Sequence, residues 1–348
     1  MTKIGKLPKL ATDDMAKCVT IVIPCYNEEA VLPELFRRVT AAADSWPYAW
    51  NVLCIDDGSR DGTLALLRHQ HDKDPRWRTL CFSRNFGHQA AVSAGLDYAD
   101  GDVVVIMDAD LQDPPEEVNR FLEKWSEGYE VIYAIRHKRK EGILKRTGYW
   151  AFYRLLAAMV PFPMPLDSGD FCVMDRRVVN TITALPEKRR FVRGLRAWSG
   201  YRQIGLAYER SERAAGEPKY TFSSLLKLAK DGVFSFSAVP LRLASHLGLW
   251  ISLLSLIGII FTFSRLIFKE FFTRIGLGLV PGYATTVMSI LFLGGIQLLS
   301  LGIIGEYLER IFEEVKGRPN YIVRERIGSG VTPVTHVRSV DSLSAGSA

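Results

Sequence analysis

The chain has 348 residues, of which 48% are hydrophobic, and a formal net charge of +6. This length gives ample material for a core in one large domain or two modest ones, which excludes a minimal scaffold. The five cysteines are odd in number and lack the spacing of metal ligands. They exclude a disulfide framework and indicate reduced core residues.

The first part of the chain is predicted to alternate strands and helices. Apolar runs that are typical of strands occur at residues 18–24, 51–57, 78–83 and 102–107, and helical periodicity occurs at 28–43 and 86–99, with another helix opening near Asp61. This βαβ order predicts an α/β fold around a parallel sheet. The first βα turn reads Pro24-Cys-Tyr-Asn-Glu28 rather than a glycine fingerprint, which argues against a dinucleotide-dependent dehydrogenase.

A cluster of carboxylates follows the apolar run that starts at Val103. Asp108 and Asp110 come directly after this strand, and Asp57 follows an earlier one. Because ligands bind at the carboxyl ends of parallel strands, these side chains are expected to meet at one edge of the sheet. Paired carboxylates can share a divalent cation that carries phosphate oxygens, so the cluster predicts a nucleotide-diphosphate site. The alternative is that the acidic residues only cap the helix beginning near Pro114.

Cationic donors for phosphate are expected in the loop from Tyr208 to Tyr220. Its central Gly216 would let the loop close over a ligand. The candidate donors are Arg210, Arg213 and Lys219. Together with a bound cation they would stabilise the charge that develops on a departing diphosphate.

Two long uncharged runs predict membrane spans. Residues 243–264 and 276–305 contain no Asp, Glu, Lys or Arg, and each exceeds the roughly 20 residues that cross a bilayer. The alternative is a pair of buried helices in a soluble core. Residues 1–17 are polar, so no signal peptide is expected, and two spans would return the chain to its starting side in the cytosol. Three basic residues in the connecting loop, Arg265, Lys269 and Arg274, give this orientation no independent support.

Two basic and aromatic segments predict amphipathic helices at a bilayer surface. One runs from Arg136 to Tyr153, and the other, from Glu187 to Trp198, places four arginines along one helical side. The alternatives are a solvated charged face and nucleic-acid binding. Because the chain also has predicted membrane spans, we favour lipid as the partner of these segments and expect no binding to nucleic acid.

Seven short motifs occur in an order that resembles one family. They are Pro24-Cys-Tyr-Asn-Glu28, Asp56-Asp-Gly-Ser-Arg-Asp61, Arg84-Asn-Phe-Gly-His88, Asp108-Ala-Asp-Leu-Gln-Asp-Pro-Pro-Glu116, Ser168-Gly-Asp-Phe171, Arg193-Gly-Leu and Gly216-Glu-Pro-Lys-Tyr220. Residues 18–326 resemble the family-2 glycosyltransferases, most closely the polyprenyl-phosphate branch with dolichol-phosphate mannose synthase and bactoprenol glucosyltransferases. The resemblance implies a Rossmann-like GT-A domain, a nucleotide-sugar donor, Mg²⁺ or Mn²⁺, and inversion at the anomeric carbon.

The resemblance also implies a role for individual residues. Those expected to line the nucleotide-sugar pocket are Pro24, Tyr26, Glu28, Asp56, Asp57, Asp108 and Gln112. The metal is expected at Asp108, Asp110 and Gln112, and phosphate or lipid phosphate at Arg136. The resemblance implies catalytic roles for Asp110 and Asp170.

Asp170 matches a position with a catalytic role in the family, but the acceptor chemistry argues against a general base. A phosphate monoester has a second pKa of about 6, so a polyprenyl phosphate is largely ionised at cytosolic pH. We therefore predict that Asp170 mainly orients a basic residue or the metal. The alternative is an aspartate that only stabilises its turn.

The predicted organisation is a polar tail (1–17), a cytosolic catalytic domain with interface helices (18–240), two transmembrane helices (241–305) and a cytosolic tail (306–348). The predicted reaction moves glucose from UDP-glucose to undecaprenyl phosphate at a bacterial inner membrane, for modification of cell-envelope glycans such as lipopolysaccharide. Other donors are left open: a UDP-aminoarabinose derivative, a UDP-N-acetylhexosamine or GDP-mannose. A membrane-anchored nucleotide-sugar binder without turnover is the alternative of a different class. Analogy with the family implies a homo-oligomer, with a tetramer as the expected state.

Overall fold

The computed structural model describes residues 17–136, 168–188, 190–208, 239–275 and 282–334. These residues belong to two compact units. The first contains the described residues up to 208 together with 319–334, and the second contains 239–275 and 282–318. The chain thus leaves the first unit and returns to it at its C-terminal end.

Within the described residues, the first unit contains eight strands and six α-helices. The strands are β1 (Cys18–Cys25), β2 (Ala49–Asp56), β3 (Trp77–Phe82), β4 (Val103–Ile106), β5 (Val131–Arg136), β6 (Ser168–Asp175), β7 (Gln203–Tyr208) and β8 (Val323–Ile327). The helices are α1 (Leu32–Ala43), α2 (Thr63–Lys73), α3 (His88–Tyr98), α4 (Val118–Ser126), α5 (Arg176–Ala184) and α6 (Val192–Trp198), and a 3-10 turn covers Pro115–Glu117.

The strands form one mixed sheet in the order β7-β5-β6-β4-β1-β2-β3-β8. Strands β4, β1, β2 and β3 are parallel, as the βαβ pattern predicts, whereas β6 runs antiparallel between β4 and β5. Cys25 lies opposite Asp56, and Val22 lies opposite Ile106. The loops that follow β1, β2 and β4 therefore emerge at the same edge of the sheet.

Close packing fixes α3 against the centre of the sheet. A Cβ atom on Gly95 would lie only 2.1 Å from Cγ1 of Val22 in β1, so no side chain fits between helix and strand. The strand residues beneath are buried, and β3 and β4 are buried along their whole length. The first residue of α3, His88, is thereby held near the edge where the loops emerge.

The segment after the last long helix adds a strand that the sequence analysis did not foresee. β8 pairs antiparallel with β3 at the end of the sheet, with Leu80 opposite Arg326. Residues 306–348 were expected to be a tail, but the preceding helix continues to Val315 and residues 323–327 join the sheet. The reason is that β3 would otherwise present an unpaired edge, which β8 covers.

The described residues of the second unit form helices α7 (Val239–Ile267), α8 (Lys269–Arg274) and α9 (Tyr283–Val315). The stretches Val239–Gly258 and Met288–Val315 are long and apolar enough to cross a membrane. No part of either stretch is buried within the described residues, and large side chains such as Trp250 and Leu298 are exposed. This exposure disfavours the alternative of buried helices in a soluble core.

The prediction of a lipid-facing helix from Glu187 to Trp198 is wrong. The helix begins only at Val192, and Arg196 inside it is 1% exposed. Arg190 and Arg193 likewise pair with carboxylates of the first unit, those of Asp97 and Asp170. The other predicted interface segment lies, apart from Arg136, outside the described residues.

Candidate active site

The loops after β1 and β2 are tied together at the carboxyl edge of the sheet. Asn27, in the left-handed region at φ 53°, donates its backbone N–H to the Ser59 hydroxyl at 3.0 Å and accepts the Arg60 N–H at 2.9 Å. The backbone N–H of Glu28 donates to the Thr63 hydroxyl at 2.8 Å. These bonds bring the predicted pocket residues of both loops, Pro24 to Glu28 and Asp56 to Asp57, to one place.

Asp57 connects a third loop, residues 84–88, to this pair. Its two carboxylate oxygens accept the backbone N–H groups of Phe86 at 2.6 Å and Gly87 at 2.9 Å. Burial raises the pKa of Asp57, against the effect of those two hydrogen bonds. Asp56 accepts the Ser59 N–H through Oδ1, while its buried Oδ2 has no hydrogen-bond partner within the described residues. The structure thus gives Asp57 a role in shaping the loops, and contact of either aspartate with a nucleotide stays a prediction.

Gly58 is required where these three loops meet. It lies at φ +67°, and a Cβ there would sit 2.6 Å from the backbone carbonyl carbon of Arg84. Replacing Gly58 by alanine should cost about 1–2 kcal/mol for the left-handed backbone alone and more for the clash. We expect the midpoint of thermal unfolding to fall by more than about 4 °C.

The matched control for this prediction is Gly330→Ala. Gly330 also has a positive φ, +74°, but a Cβ there would meet nothing within 4 Å. This variant should show the backbone cost without the clash. An equal loss of stability in both variants would contradict the claim that the 84–88 loop demands a glycine at position 58.

A cluster of opposite charges lies beside these loops. Arg193 on α6 donates to Oδ1 of Asp170 at 3.2 Å, and Nε2 of His88 lies 3.3 Å from Oδ2 of the same carboxylate. Nε2 of His88 also lies 3.7 Å from Oδ1 of Asp108. The side chains of Asp170, Arg193, Asp108 and His88 are 16%, 20%, 32% and 43% exposed, respectively. These four side chains are therefore partly accessible and do not belong to the fully buried core.

The charges in this cluster shift one another's proton affinity. Burial opposes a charge on His88, but the carboxylates of Asp170 and Asp108 outweigh it and raise the pKa of His88 to about 9. Burial would raise the pKa of Asp170, but the charges of Arg193 and His88 hold it well below its usual range. Burial and three neighbouring carboxylates raise the pKa of Asp108 to about 6, although His88 opposes this shift. At neutral pH His88 and Arg193 are therefore both cations, and the carboxylate of Asp170 holds them in place.

Gln89 connects the cluster to α6. Its side-chain amide nitrogen lies 3.5 Å from Oδ2 of Asp170, and its side-chain oxygen accepts the backbone N–H of Val192 at 3.1 Å. The position of the first turn of α6 is therefore set by a residue of α3. Arg193, in the same turn, depends on this contact for its approach to Asp170.

The acidic loop after β4 has a constrained backbone. Leu111 adopts φ 57°, which is uncommon for a bulky residue, and the backbone N–H of Gln112 donates to Oδ1 of Asp110 at 3.1 Å. Asp113 is buried and accepts a hydrogen bond from the Tyr208 hydroxyl. These contacts hold the loop so that Asp108 and Asp110 stay at the open edge of the sheet.

The described residues contain no group of three or more His, Cys, Asp and Glu side chains arranged for a metal ion. Mg²⁺ is commonly held by only one or two carboxylates, with substrate phosphates and water completing its shell. Asp108 and Asp110 supply oxygen ligands of the required kind beside other carboxylates that raise the local negative charge. The donor set fits a hard divalent cation that arrives with a diphosphate.

The remaining predicted phosphate donors are only partly placed. Arg136 is the last residue of β5, where its backbone is in register with Tyr208 of β7. Arg210, Arg213 and Lys219 lie outside the described residues.

No role was predicted from the sequence for His88 or Gln89, and Arg193 was predicted to face lipid. His88 and Arg193 fall within quoted motifs, which was an available signal. Gln89 carries no signal in the sequence, because its importance comes from packing between α3 and α6.

Comparisons with known proteins identify relatives of this chain. A family model described as "Glycosyl transferase family 2" matches residues 20–183. An uncharacterised glycosyltransferase of Bacillus subtilis, YkcC, is 45% identical over 89% of this chain and 94% of its own length. The bactoprenol glucosyl transferase of Shigella phage SfII is 38% identical over 88% of this chain and 97% of its own length. Glucosyl-3-phosphoglycerate synthase from Mycobacterium tuberculosis superimposes with a TM-score of 0.43 at 17% identity, covering 62% of this chain and 76% of that one.

Relatives of this similarity over nearly the whole chain, together with the matched model and the α/β sheet, decide the classification. The resemblance on which the sequence analysis relied is confirmed. The first unit has the GT-A fold, with the acidic loop and the charged cluster at the carboxyl edge of its parallel strands. The chain belongs to glycosyltransferase family 2, in its polyprenyl-phosphate glycosyltransferase branch.

Proposed function

We propose that this chain transfers glucose from UDP-glucose to undecaprenyl phosphate in a bacterial inner membrane, with inversion at the anomeric carbon. The similarity to several proteins named bactoprenol glucosyl transferase, over almost their full length, carries the choice of sugar and acceptor. The partly accessible cluster of cations and carboxylates supports a reaction between two phosphate-bearing substrates. The product supplies glucose for cell-envelope glycans.

The proposed step is a direct displacement. A phosphate oxygen of the acceptor attacks the anomeric carbon of glucose, the bond from that carbon to the β-phosphate oxygen breaks, and its electron pair leaves with UDP. No proton needs to move, because the acceptor phosphate is already ionised above its pKa of about 6. The protein therefore has to orient two anions and stabilise the charge on the leaving one.

Arg193 and His88 are the residues that we propose for orienting phosphate. Each contacts Asp170, and the side chain of each is still partly exposed to solvent. Asp170 fixes the two cations in place and balances part of their charge. It is then a positioning group rather than a general base, as the acceptor chemistry predicts.

We propose that Asp108 and Asp110 hold Mg²⁺ or Mn²⁺, with Gln112 close by. The ion, when bound, supplies Lewis-acid stabilisation of the departing diphosphate. The constrained backbone around Leu111 keeps these two carboxylates at the carboxyl edge of the sheet. Arg136 remains a proposed phosphate contact.

The pairing of β8 with β3 supports a membrane hairpin. β8 belongs to the same sheet as the strands up to residue 208, so these strands and β8 lie on the same side of any membrane that α7 and α9 enter. An even number of crossings follows. All five cysteines are free and four of them are buried, which suits a reducing compartment, and we propose that the sheet is cytosolic. Self-assembly into a homo-oligomer remains a prediction.

The experiment that tests this function offers purified full-length protein a panel of labelled nucleotide sugars. Undecaprenyl phosphate in detergent is the acceptor, and each reaction is run with Mg²⁺, with Mn²⁺ and with chelator. We expect label from UDP-glucose to enter the organic phase only when a divalent cation is present. If label were transferred preferentially from another nucleotide sugar, that nucleotide sugar would be the donor instead of UDP-glucose. Tight binding of a nucleotide sugar without any transfer would favour the alternative of a non-catalytic binder.

A further inference from the structure

The residues after α9 do more than extend the sheet. We call residues 319–334 the return segment, because they bring the chain back to the first unit. Besides the β8 pairing, the backbone N–H of Ser83 donates to the Ile322 carbonyl at 3.0 Å, and the backbone N–H of Val334 donates to the Asp97 carbonyl at 2.9 Å. The return segment thus contacts both β3 and the C-terminal end of α3.

Tyr321 is the side chain through which this segment reaches the interior. Its ring stacks on Phe82 with centroids 5.1 Å apart and an interplanar angle of 11°. Its hydroxyl donates to Oδ2 of Asp97 at 2.9 Å. The Asp97 side chain is only 3% exposed, so this hydrogen bond satisfies an oxygen that solvent scarcely reaches.

The other oxygen of Asp97 holds Arg190. The ion pair measures 3.0 Å, and the Arg190 side chain is 11% exposed. The same guanidinium donates to three backbone carbonyls, those of Thr183, Leu185 and Glu187, at 3.1 to 3.2 Å. Arg190 therefore fastens the chain between α5 and α6, and its own position depends on Asp97.

Arg190 lies two residues before α6, and Arg193 follows in the first turn of that helix. The path from Tyr321 to the charged cluster consists of direct contacts: Tyr321 to Asp97, Asp97 to Arg190, and a short stretch of backbone to Arg193, which meets Asp170. A shift in Arg190 would displace the start of α6. Because Arg193 meets Oδ1 of Asp170 at 3.2 to 3.3 Å, at the long end of the hydrogen-bond range, a small displacement is enough to weaken that contact.

We propose that one residue of the return segment serves the active site: Tyr321, acting through Asp97 and Arg190, positions α6 so that Arg193 stays against Asp170. Tyr321 is a positioning residue and touches no substrate. The family model that matches this chain ends at residue 183, before α6 and the return segment. The inference rests on the proposed function for its kinetic consequence, but not for its structural one.

The test is Tyr321→Phe in the full-length protein, which removes the hydroxyl and keeps the ring on Phe82. We expect kcat for glucose transfer to fall about tenfold, equivalent to about 1.4 kcal/mol of transition-state stabilisation, with the KM for UDP-glucose within about twofold. The matched control is Glu325→Gln in β8, which breaks an exposed pair with Arg68 at 2.6 Å. This control should leave both constants unchanged, because exposed ion pairs contribute little.

A double-mutant cycle separates positioning from general loss of stability. In an Arg193→Lys background, Tyr321→Phe should cost much less than tenfold, because the contact that it disturbs is already altered. An equal cost in both backgrounds would overturn the proposal, since a merely structural defect would act independently of Arg193.

Hydrogen exchange gives a measurement that does not depend on the reaction. Amides of α6 should exchange faster in Tyr321→Phe than in the unaltered protein, whereas amides of α4 should not change. Unchanged exchange in α6 would overturn the proposed positioning even if activity fell. If the unaltered protein transferred no sugar, the proposed function would fail while this comparison would still test the positioning.

Discussion

Replacing Asp170 by asparagine is expected to lower kcat by about 100- to 1,000-fold, the cost of removing one preorganised electrostatic group from an active site. The substitution keeps the shape of the side chain but removes the charge that holds Arg193 and His88. The side chains of Arg193 and His88 would then no longer be held in place. The measurement is the initial rate of lipid-linked glucose formation at saturating donor and acceptor.

The pH dependence of the Asp170→Asn variant separates orientation from base catalysis. The acceptor phosphate gains no further charge above its pKa of about 6, so raising the pH from 7 to 9 should not restore the rate. Full recovery at high pH would contradict the positioning role and assign Asp170 as a proton acceptor. Asp72→Asn, on the exposed surface of α2, is the matched control and should behave like the unaltered protein.

Replacing Asp110 by asparagine should remove the metal dependence of nucleotide binding and lower the rate by at least about 100-fold. The amide oxygen can still accept the Gln112 N–H, which preserves the loop, but the site loses one negative charge and with it affinity for a hard cation. The measurement is calorimetric titration of UDP at increasing Mg²⁺ or Mn²⁺. Unaltered protein should bind UDP more tightly as the metal concentration rises.

Glu117→Gln is the control for this second variant. Glu117 lies in the same acidic stretch, and its carboxylate pairs with Arg120 on the surface of the neighbouring turn. Its loss should leave both the metal titration and the rate unchanged. UDP binding by Asp110→Asn that still strengthened with metal as in the unaltered protein would show that the metal is held elsewhere.

The half of the site that lies on parallel strands was accessible from the sequence. Strand ends can be read from apolar runs, and parallel strands bring their carboxyl ends to one edge, so Asp57, Asp108 and Asp110 could be grouped without coordinates. The reversal of β6 and the addition of β8 could not be anticipated in the same way. Both are decided by pairing between strands that lie far apart in the chain.

The arginines near α6 show why the other half of the site was missed. Their spacing gives a helix with one basic side, and periodicity cannot distinguish a basic side that faces lipid from one that faces carboxylates. The carboxylates that pair with these arginines are distant in the sequence: Asp97 precedes Arg190 by 93 residues, and Asp170 precedes Arg193 by 23 residues. Tertiary contacts of this kind override the local pattern.

The place of β8 in the sheet also has a consequence for biosynthesis. The nucleotide half of the domain is translated first, and both long helices must leave the ribosome before residues 323–327 can reach β3. Strand β3 therefore keeps an unpaired edge until α7 and α9 have been synthesised. A newly made chain can therefore complete its sheet only after the apolar helices of the second unit exist.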